Sequence, residues 1–401
     1  MPETSSEQRV RDALRTQVDQ PEFLPVPSDT LITRVRRRQF RNGVGIAALV
    51  LVVGLVGIRA LPLATHSTTP AHSPVPAPRV LSGDGKLAFT IGNRLYLIGS
   101  DGTGQTPVAH GCLNGTCGIV DLAWSPDGAH MLFADYSEKP VSSGSGAGPL
   151  YIVGADGTGL KALTDCHAPT CWDAHGSWSP DGSKIVFARY EDGDRTLYVM
   201  SSDGSDLVRI SDPGVGFASP SWSRDGTRIA YIRADGGTGS EMVVSAADGS
   251  DRTVVASSPD PDALFAPAWS PDDASIVYVA TGPQPSDRGL WVVSADGGSP
   301  HRVLTAKRVA SLPVWSPDGQ RLAVAVDRRI VIADADGVGR TTIPQDGQVW
   351  SVVWSPSGTK LAFIVKDRLV VATLSPHHTT ERTLAQVGPL AGNIAWQPVS
   401  P

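Results

Sequence analysis

The chain has 401 residues and a mass of 42.1 kDa, with 34 Lys+Arg against 40 Asp+Glu for a net charge of −6, 42 Gly, 32 Pro and only 4 Cys. That length excludes one small domain, and 41% hydrophobic residues can bury a core. No basic stretch occurs in the main body, which argues against a nucleic-acid binder, because phosphate-backbone affinity needs clustered Lys/Arg to release counterions.

The first 64 residues hold nine Arg, no Lys and six Asp+Glu, a balance of +3 that leaves −9 on the remainder. Within residues 1–42, Val10, Leu14 and Val18 recur at helical spacing, so this segment reads as a tail that is partly helical or disordered. Residues 43–58 are uncharged and, as a helix, span about 24 Å at 1.5 Å per residue. Arg59 can snorkel to the interface and let the span run to residue 61. Residues 43–61 are therefore expected to form one transmembrane helix, with a buried helix of a soluble protein as the rival. Arg34, Arg36, Arg37, Arg38 and Arg41 precede the apolar run and only Arg59 closely follows it, which keeps the N-terminus cytoplasmic and sends the body outside. Arg37-Arg38-Gln39-Phe40 also resembles the core of a twin-arginine export signal, although topology charge accounts for it more simply. A cleaved signal peptide is a further rival, against which stand the long preceding segment and the lack of an Ala-x-Ala site. Residues 62–79, with Pro62, Pro70, Pro74, Pro76 and Pro78, read as a semi-extended stalk.

From residue 80 to 401 the chain repeats itself. Trp-Ser-Pro-Asp-Gly stands at 124–128, 178–182 and 315–319, with Trp-Ser-Arg-Asp-Gly at 222–226, Trp-Ser-Pro-Asp-Asp at 269–273 and Trp-Ser-Pro-Ser-Gly at 354–358. The Trp-to-Trp steps are 54, 44, 47, 46 and 39 residues. In each unit a strand ends in Trp, a Ser-Pro-Asp-Gly turn reverses the chain, and an apolar strand and two more follow. Four strands per 40 to 50 residues is the grammar of a β-propeller blade. Pro presets φ, Asp bonds back to the backbone and Gly accepts positive φ; Asp273 tolerates the same conformation, while Arg224 and Ser357 lose preorganisation. The tryptophans Trp124, Trp178, Trp222, Trp269, Trp315, Trp354 and Trp396 are expected to cement neighbouring blades, each burying area worth at most roughly 4 to 6 kcal/mol. Counting units from a degenerate copy at 81–85 gives an all-β propeller of seven four-stranded blades, with six as the rival. The spare strand ending in Trp396 should complete blade one and close the ring.

These repeats resemble the TolB-like family of propellers, whose signature is this hairpin followed by a triplet such as Ile-Ala-Phe, over residues 80–401. The resemblance implies the fold. It also points to an envelope setting, since TolB itself is periplasmic and binds a lipoprotein; that partner is not carried over, because a tail, membrane helix and stalk stand where TolB has an extra domain.

Cys112 and Cys117 lie 12 and 7 residues before Trp124, and Cys166 and Cys171 lie 12 and 7 before Trp178. Two local disulfides are expected, each closing a short loop worth about 2 kcal/mol; a four-thiolate zinc site is the rival. The Ser-Pro-Asp-Gly turns share one rim. The opposite rim should carry the irregular loops, among them 136–149, 190–195, 257–266 and 281–289. Binding residues are expected there, around blades two to five: Trp172, Asp173, His175, Tyr190, Glu191, Asp192, Asp194 and Phe265 supply aromatic anchors and carboxylates. No Gly-x-Ser-x-Gly elbow occurs, and the chain stops after the closing strand, so no catalytic residue, metal or cofactor is expected. The function expected is that of a non-enzymatic, membrane-anchored, extracytoplasmic module for an unidentified protein, peptide or envelope polymer. The alternative is an envelope-carbohydrate enzyme built on Glu191, Asp192 and Asp194, which could also hold calcium.

Overall fold

The computed structural model of the protein describes residues 84–398, apart from 93, 109–116, 138–147, 167–170, 212–215, 235–238, 261–262, 283, 285–286, 376–377 and 389–392. The tail, the apolar segment, the stalk and Cys112 lie outside the described residues. Among the described residues no helix is long and apolar enough to cross a membrane.

Blade one opens with β1 (Lys86–Ile91), β2 (Arg94–Gly99) and β3 (Thr106–Val108). Blade two is β4 (Cys117–Trp124), β5 (His130–Ser137), β6 (Leu150–Gly154) and β7 (Lys161–Ala162). Blade three is β8 (Cys171–Trp178), β9 (Lys184–Glu191), β10 (Asp194–Ser201) and β11 (Val208–Arg209). Blade four is β12 (Gly216–Trp222), β13 (Arg228–Ala234), β14 (Ser240–Ala246) and β15 (Thr253–Ser258). Blade five is β16 (Leu264–Trp269), β17 (Ser275–Ala280), β18 (Gly289–Ser294) and β19 (His301–Thr305). Blade six is β20 (Val314–Trp315), β21 (Arg321–Val326), β22 (Arg329–Asp334) and β23 (Arg340–Pro344). Blade seven is β24 (Val349–Trp354), β25 (Lys360–Val365), β26 (Arg368–Leu374) and β27 (Thr379–Gln386), and β28 (Ile394–Trp396) ends the described chain.

Seven antiparallel four-stranded sheets result, and β28 pairs with β1 through Leu87↔Trp396, Ala88↔Ala395 and Phe89↔Ile394. The seven-blade count and the closing strand agree with the repeat arithmetic. The first strands of successive sheets touch one another around a closed circle, so they surround the axis. The second and third strands are apolar on both faces, as in Ile-Val-Phe-Ala of β9, because each blade is covered on both sides. The fourth strands, such as β7 and β11, are exposed.

The tryptophans do more than fill the seams. Trp178 Nε1 donates to Ala123 O, Trp269 to Ser221 O, Trp315 to Ala268 O, Trp354 to Val314 O and Trp124 to Ala395 O, at 2.9–3.3 Å. Every acceptor is the residue just before the tryptophan of the preceding blade. Arg228 and Arg321 lay their guanidinium groups over the rings of Trp269 and Trp354 in the following blades, at 4.8 and 4.9 Å.

Each turn is closed by its own side chains. Ser179 Oγ donates to Asp181 at 2.6 Å and accepts from Lys184 N, while Asp181 accepts from Ser183 N. In four turns the glycine lies against the proline of the turn before: a Cβ on Gly182 would meet Pro126 Cδ at 3.7 Å, on Gly226 Pro180 Cδ at 3.5 Å, on Gly319 Pro271 Cδ at 3.3 Å and on Gly358 Pro317 Cδ at 3.5 Å. Two of the three departures from the repeat, Arg224 and Asp273, sit in adjacent turns and answer one another. Arg224, standing in a proline position, has an N–H to satisfy, and Asp273, in the next glycine position at φ 59°, accepts from Arg224 N at 2.5 Å and Asp225 N at 2.9 Å.

Two predictions follow from the turns. Replacing Asp273 with Gly in the natural background strands two N–H groups, whereas in an Arg224→Pro background one of those donors no longer exists. A double-mutant cycle by urea unfolding should therefore show non-additivity of about 1 kcal/mol; additive effects would mean the two residues are independent. Serine hydrogen bonds hold the Asp127 and Asp181 carboxyls below their ordinary value of 3.8. A lowered folded value gives stability that is present above 3.8 and lost as pH falls through the folded values, so the urea midpoint should drop below about pH 4. Ser179→Ala should make that acid loss shallower.

Candidate functional site

The site begins with a repeated irregularity of the inner strands. Three residues before the tryptophan, Asp121 (φ 56°), His175 (φ 57°), Ser219 (φ 52°) and Ala266 (φ 58°) adopt the left-handed conformation. The ladders shift register there, between Val120 and Ala123, Ala174 and Ser177, Ala218 and Ser221, and Phe265 and Ala268. Such a bulge re-aims the side chain it carries. Because these strands surround the axis, the bulges of blades two and three place Asp121 beside His175. His175 N donates to Asp121 Oδ2 at 2.9 Å, and His175 Nδ1 lies 3.4 Å from the same oxygen.

Protein surrounds this pair, yet 26% of the Asp121 side chain and 37% of the His175 side chain remain open to solvent. Burial pushes the Asp121 carboxyl up, but the hydrogen bonds and charge of His175 outweigh it and hold the group below its ordinary value. Burial likewise pushes the His175 imidazole down, and the Asp121 hydrogen bond and charge overcome it, leaving the imidazole above 6.5. Arg195 opposes that rise. A carboxylate on the Nδ1 side leaves Nε2 as the ring's second site for a ligand or a proton.

Around the pair stand residues from the rim opposite the Ser-Pro-Asp-Gly turns. Trp172 meets the Tyr190 ring edge-on at 4.4 Å, and the Arg195 guanidinium lies 5.2 Å from the Tyr190 ring centre. Burial pushes the Tyr190 phenol up, with the Asp121 charge adding to it and Arg195 opposing. Trp172, Tyr190 and Arg195 align through the register Trp172↔Tyr190↔Arg195. Beneath them, Asp173 is buried and binds Arg189 through two bonds of 2.8 and 2.9 Å, with that guanidinium over the rings of Phe187 and Tyr198. Asp173 N also donates to Gly148 O of blade two.

Cys166 and Cys171 form a disulfide beside Asp173. Cys166, Cys171 and Asp173 bring their ligand atoms within 4.8 Å, but the sulfurs are bonded to each other and the carboxylate holds Arg189, so these groups are already committed. The partner expected for Cys117, Cys112, lies outside the described residues.

The structure thus brings Trp172, His175 and Tyr190 together, with Glu191, Asp192 and Asp194 exposed at the adjoining tip. It places them differently from the loops read in the sequence. Trp172, Asp173 and His175 lie on inner strand β8, because polar residues are allowed where a strand borders a channel. Residues 190–195 form a tight hairpin: the ladder runs through Glu191↔Asp194, and Asp192 (φ 51°) and Gly193 (φ 93°) make its two-residue turn, with the double positive φ of an Asp-Gly turn. Phe265, on β16 of blade five, is 36% exposed and apart from this group. Asp121, Arg189 and Arg195 went unread in the sequence. Asp121 was findable, since it and His175 occupy the same position before successive repeat tryptophans.

The sequence pattern described as the TolB beta propeller domain matches residues 112–318. The Tol-Pal system protein TolB of Alcanivorax borkumensis is 31% identical over 88 residues, covering 22% of this chain and 20% of that protein, so the match spans only a fifth of its length. Among solved structures, an oligogalacturonate lyase in complex with manganese superposes with a TM-score of 0.57 at 16% identity, covering 76% of this chain and 86% of the other. The periplasmic gluconolactonase PpgL of Pseudomonas aeruginosa does so with a TM-score of 0.54 at 17% identity, covering 78% and 99%. These two likenesses are of fold alone. They correct the expectation that the chain is not an enzyme, because propellers of this architecture include a lyase and a lactonase. A missing nucleophile elbow excludes one serine-based chemistry and not catalysis as such.

Replacing Asp121 with Asn should bring the His175 titration, followed by NMR of the ring protons, down to or below 6.5. The raised His175 value gives stability that is full below 6.5 and lost as pH rises through the folded value, and the lowered Asp121 value gives stability lost as pH falls below 3.8. The difference in unfolding free energy between the natural chain and His175→Ala should therefore be largest between those two values. A difference that does not vary with pH would show the pair to be uncoupled.

Proposed function

The chain belongs to the TolB beta propeller domain family, and from that premise we propose that it is a membrane-anchored, extracytoplasmic module that binds a protein, peptide or envelope polymer at the axial mouth of blades two and three. The observation that carries this reading is the Asp121–His175 pair, partly open to solvent on the inner strands β4 and β8 and bordered by Trp172 and Tyr190. A carboxylate–imidazole pair offers directional hydrogen bonding, the aromatic edge offers apolar area, and Glu191, Asp192 and Asp194 add charge at the rim. The scaffold beneath is rigid, since the disulfide, the Asp173–Arg189 pair and the bond from Asp173 N to Gly148 O fix β8. A rigid first strand lowers the ordering cost of binding.

The compartment rests on two supports. The apolar segment 43–58 follows a cluster of arginines, and a disulfide persists in an oxidising environment. A catalytic reading is favoured by the same Asp121–His175 pair, since an imidazole set by a carboxylate is a competent general base.

One experiment addresses both. Envelope fractions are passed over the immobilised chain, and retained material and released products are analysed by mass spectrometry, with His175→Ala and Asp121→Ala variants alongside. Retention lost by about tenfold or more in the variants is the result expected of a binding site at this pair. Products formed only by the natural chain would make the site catalytic. Retention unchanged in both variants would move the binding site elsewhere. External protease and alkylation before and after reduction on intact cells should release a fragment with Cys166 joined to Cys171; free thiols on a protected domain would place the propeller in the cytoplasm.

A further inference from the structure

The body of the protein is acidic, yet one corner of the loop-bearing rim is not. The connection from blade five to blade six carries Lys307 and Arg308, and the β21–β22 hairpin carries Arg328 and Arg329; all four are exposed. The bridge Val309↔Val326 and the bond from Ala310 N to Ala325 O lay these two segments side by side, so the four cations share one surface. None of the four has an ion pair among the described residues. Next to them, Gln345 N donates to Arg328 O, and the neighbouring Asp346 carboxylate bridges Lys366 Nζ at 3.0 Å and Arg368 Nη2 at 2.8 Å. Six cations thus stand against four carboxylates, those of Asp327, Asp346, Asp367 and Glu381, the last accepting from Gln345 Nε2 at 2.7 Å.

The same corner exposes apolar surface. Leu312 is 67% exposed in the connection that bears Lys307 and Arg308, and Trp350 is 47% exposed at the start of inner strand β24. Trp350 is the residue skipped by the register shift between Val349 and Ser351. Exposed tryptophan beside unpaired arginine is the composition of an interaction hot spot and not of an ordinary solvated edge.

We infer that this corner of blades six and seven is a docking surface for an acidic peptide segment of a partner protein, its carboxylates meeting Lys307, Arg308, Arg328 and Arg329 and an apolar side chain meeting Leu312 and Trp350. Charge complementarity selects the occupant, and the distribution of charge selects its shape. In a ring of seven, blade three lies across the axis from blades six and seven, and the tip of blade three on the same rim bears Glu191, Asp192 and Asp194. A broad anionic face such as a lipid surface would press against those acids while it met the cations. A narrow segment avoids them, and the opposed charges across the rim set its direction. This surface uses neither Asp121 nor His175 and stands independently of the site proposed above.

The test uses residues 80–401, whose ring-closing pairings all lie between Asp84 and Gln397. Fluorescence anisotropy is read with an end-labelled peptide alternating glutamate and leucine, and with its lysine–leucine counterpart. The glutamate probe should bind, weakening as salt rises past roughly 0.15 M, and the lysine probe should not. Arg308→Glu with Arg328→Glu should weaken binding about tenfold or more, Trp350→Ala should weaken it several-fold, and Lys184→Glu on the opposite rim should leave it unchanged. If the double reversal lowers the unfolding midpoint, Arg308→Gln with Arg328→Gln supplies the reading in a folded ring, and unchanged affinity there overturns the inference. Equal binding of the two probes overturns it as well, and so does binding of phosphatidylglycerol vesicles with no binding of the glutamate probe, which would make a lipid surface the occupant.

Discussion

The ring depends on one interaction repeated around it, the indole N–H of an inner-strand tryptophan donating to the carbonyl just before the tryptophan of the preceding blade. Burying the ring system supplies the larger energy, several kcal/mol per residue, and the hydrogen bond adds about 1 kcal/mol. The bond nevertheless decides the residue. A buried indole must satisfy its N–H, and an inner-strand carbonyl turned toward the next blade needs a donor that the ladder does not provide. A phenylalanine in this place would fill the seam and leave that carbonyl bare. Two tryptophans depart from the pattern: Trp396 reaches Asp84 O within its own blade, where the chain closes on itself, and the buried Trp222 N–H has no partner among the described residues. The seam between blades three and four therefore lacks the bond that its neighbours have.

Local turn chemistry is tied to these seams. The Ser-Pro-Asp-Gly turn closes its own hydrogen bonds, so it needs no help from neighbours to form, and its proline then packs on the glycine of the next turn. Local propensity and the contact between blades thus favour the same residues at the same positions, which is the agreement across levels that lets a sequence specify one structure. The Arg224–Asp273 pair shows the dependence by exception: once a proline becomes a residue with an N–H, the facing glycine has become an acceptor.

This explains how much could be read from the sequence. The blade count, the closing β28 strand and the buried tryptophans follow from a repeat whose every unit obeys the same local chemistry. The Asp121–His175 pair is only half legible. His175 stands among the expected binding residues, whereas Asp121, on strand β4, lies outside the irregular loops on which those residues are expected. The bulge that joins the two has no residue signature of its own, since Asp, His, Ser and Ala all occupy it. The hairpin at Asp192 and Gly193 is hidden for a related reason: a run of charged residues resembles a solvated loop, while the Asp-Gly dipeptide inside it is the signal for a two-residue turn. Asp173 illustrates a different limit, because nothing in its sequence neighbourhood points to Arg189, sixteen residues away, as the group that neutralises it.

A scaffold of seven like blades places like residues at like heights, so any directional function has to come from departures between blades. At the bulge, blades two to five carry Asp121, His175, Ser219 and Ala266 in turn, and of these only the first two can exchange a proton or a charged hydrogen bond. That confines the chemistry to one sector of the axis. On the rim, the carboxylates at the tip of blade three and the exposed cations of blade six stand across the axis from one another. The two asymmetries are built at different radii, one on inner strands and one on hairpins and connections, and they share no residue. A partner gripped at the rim and a ligand held at the axis can therefore be recognised together, each by groups the other leaves untouched.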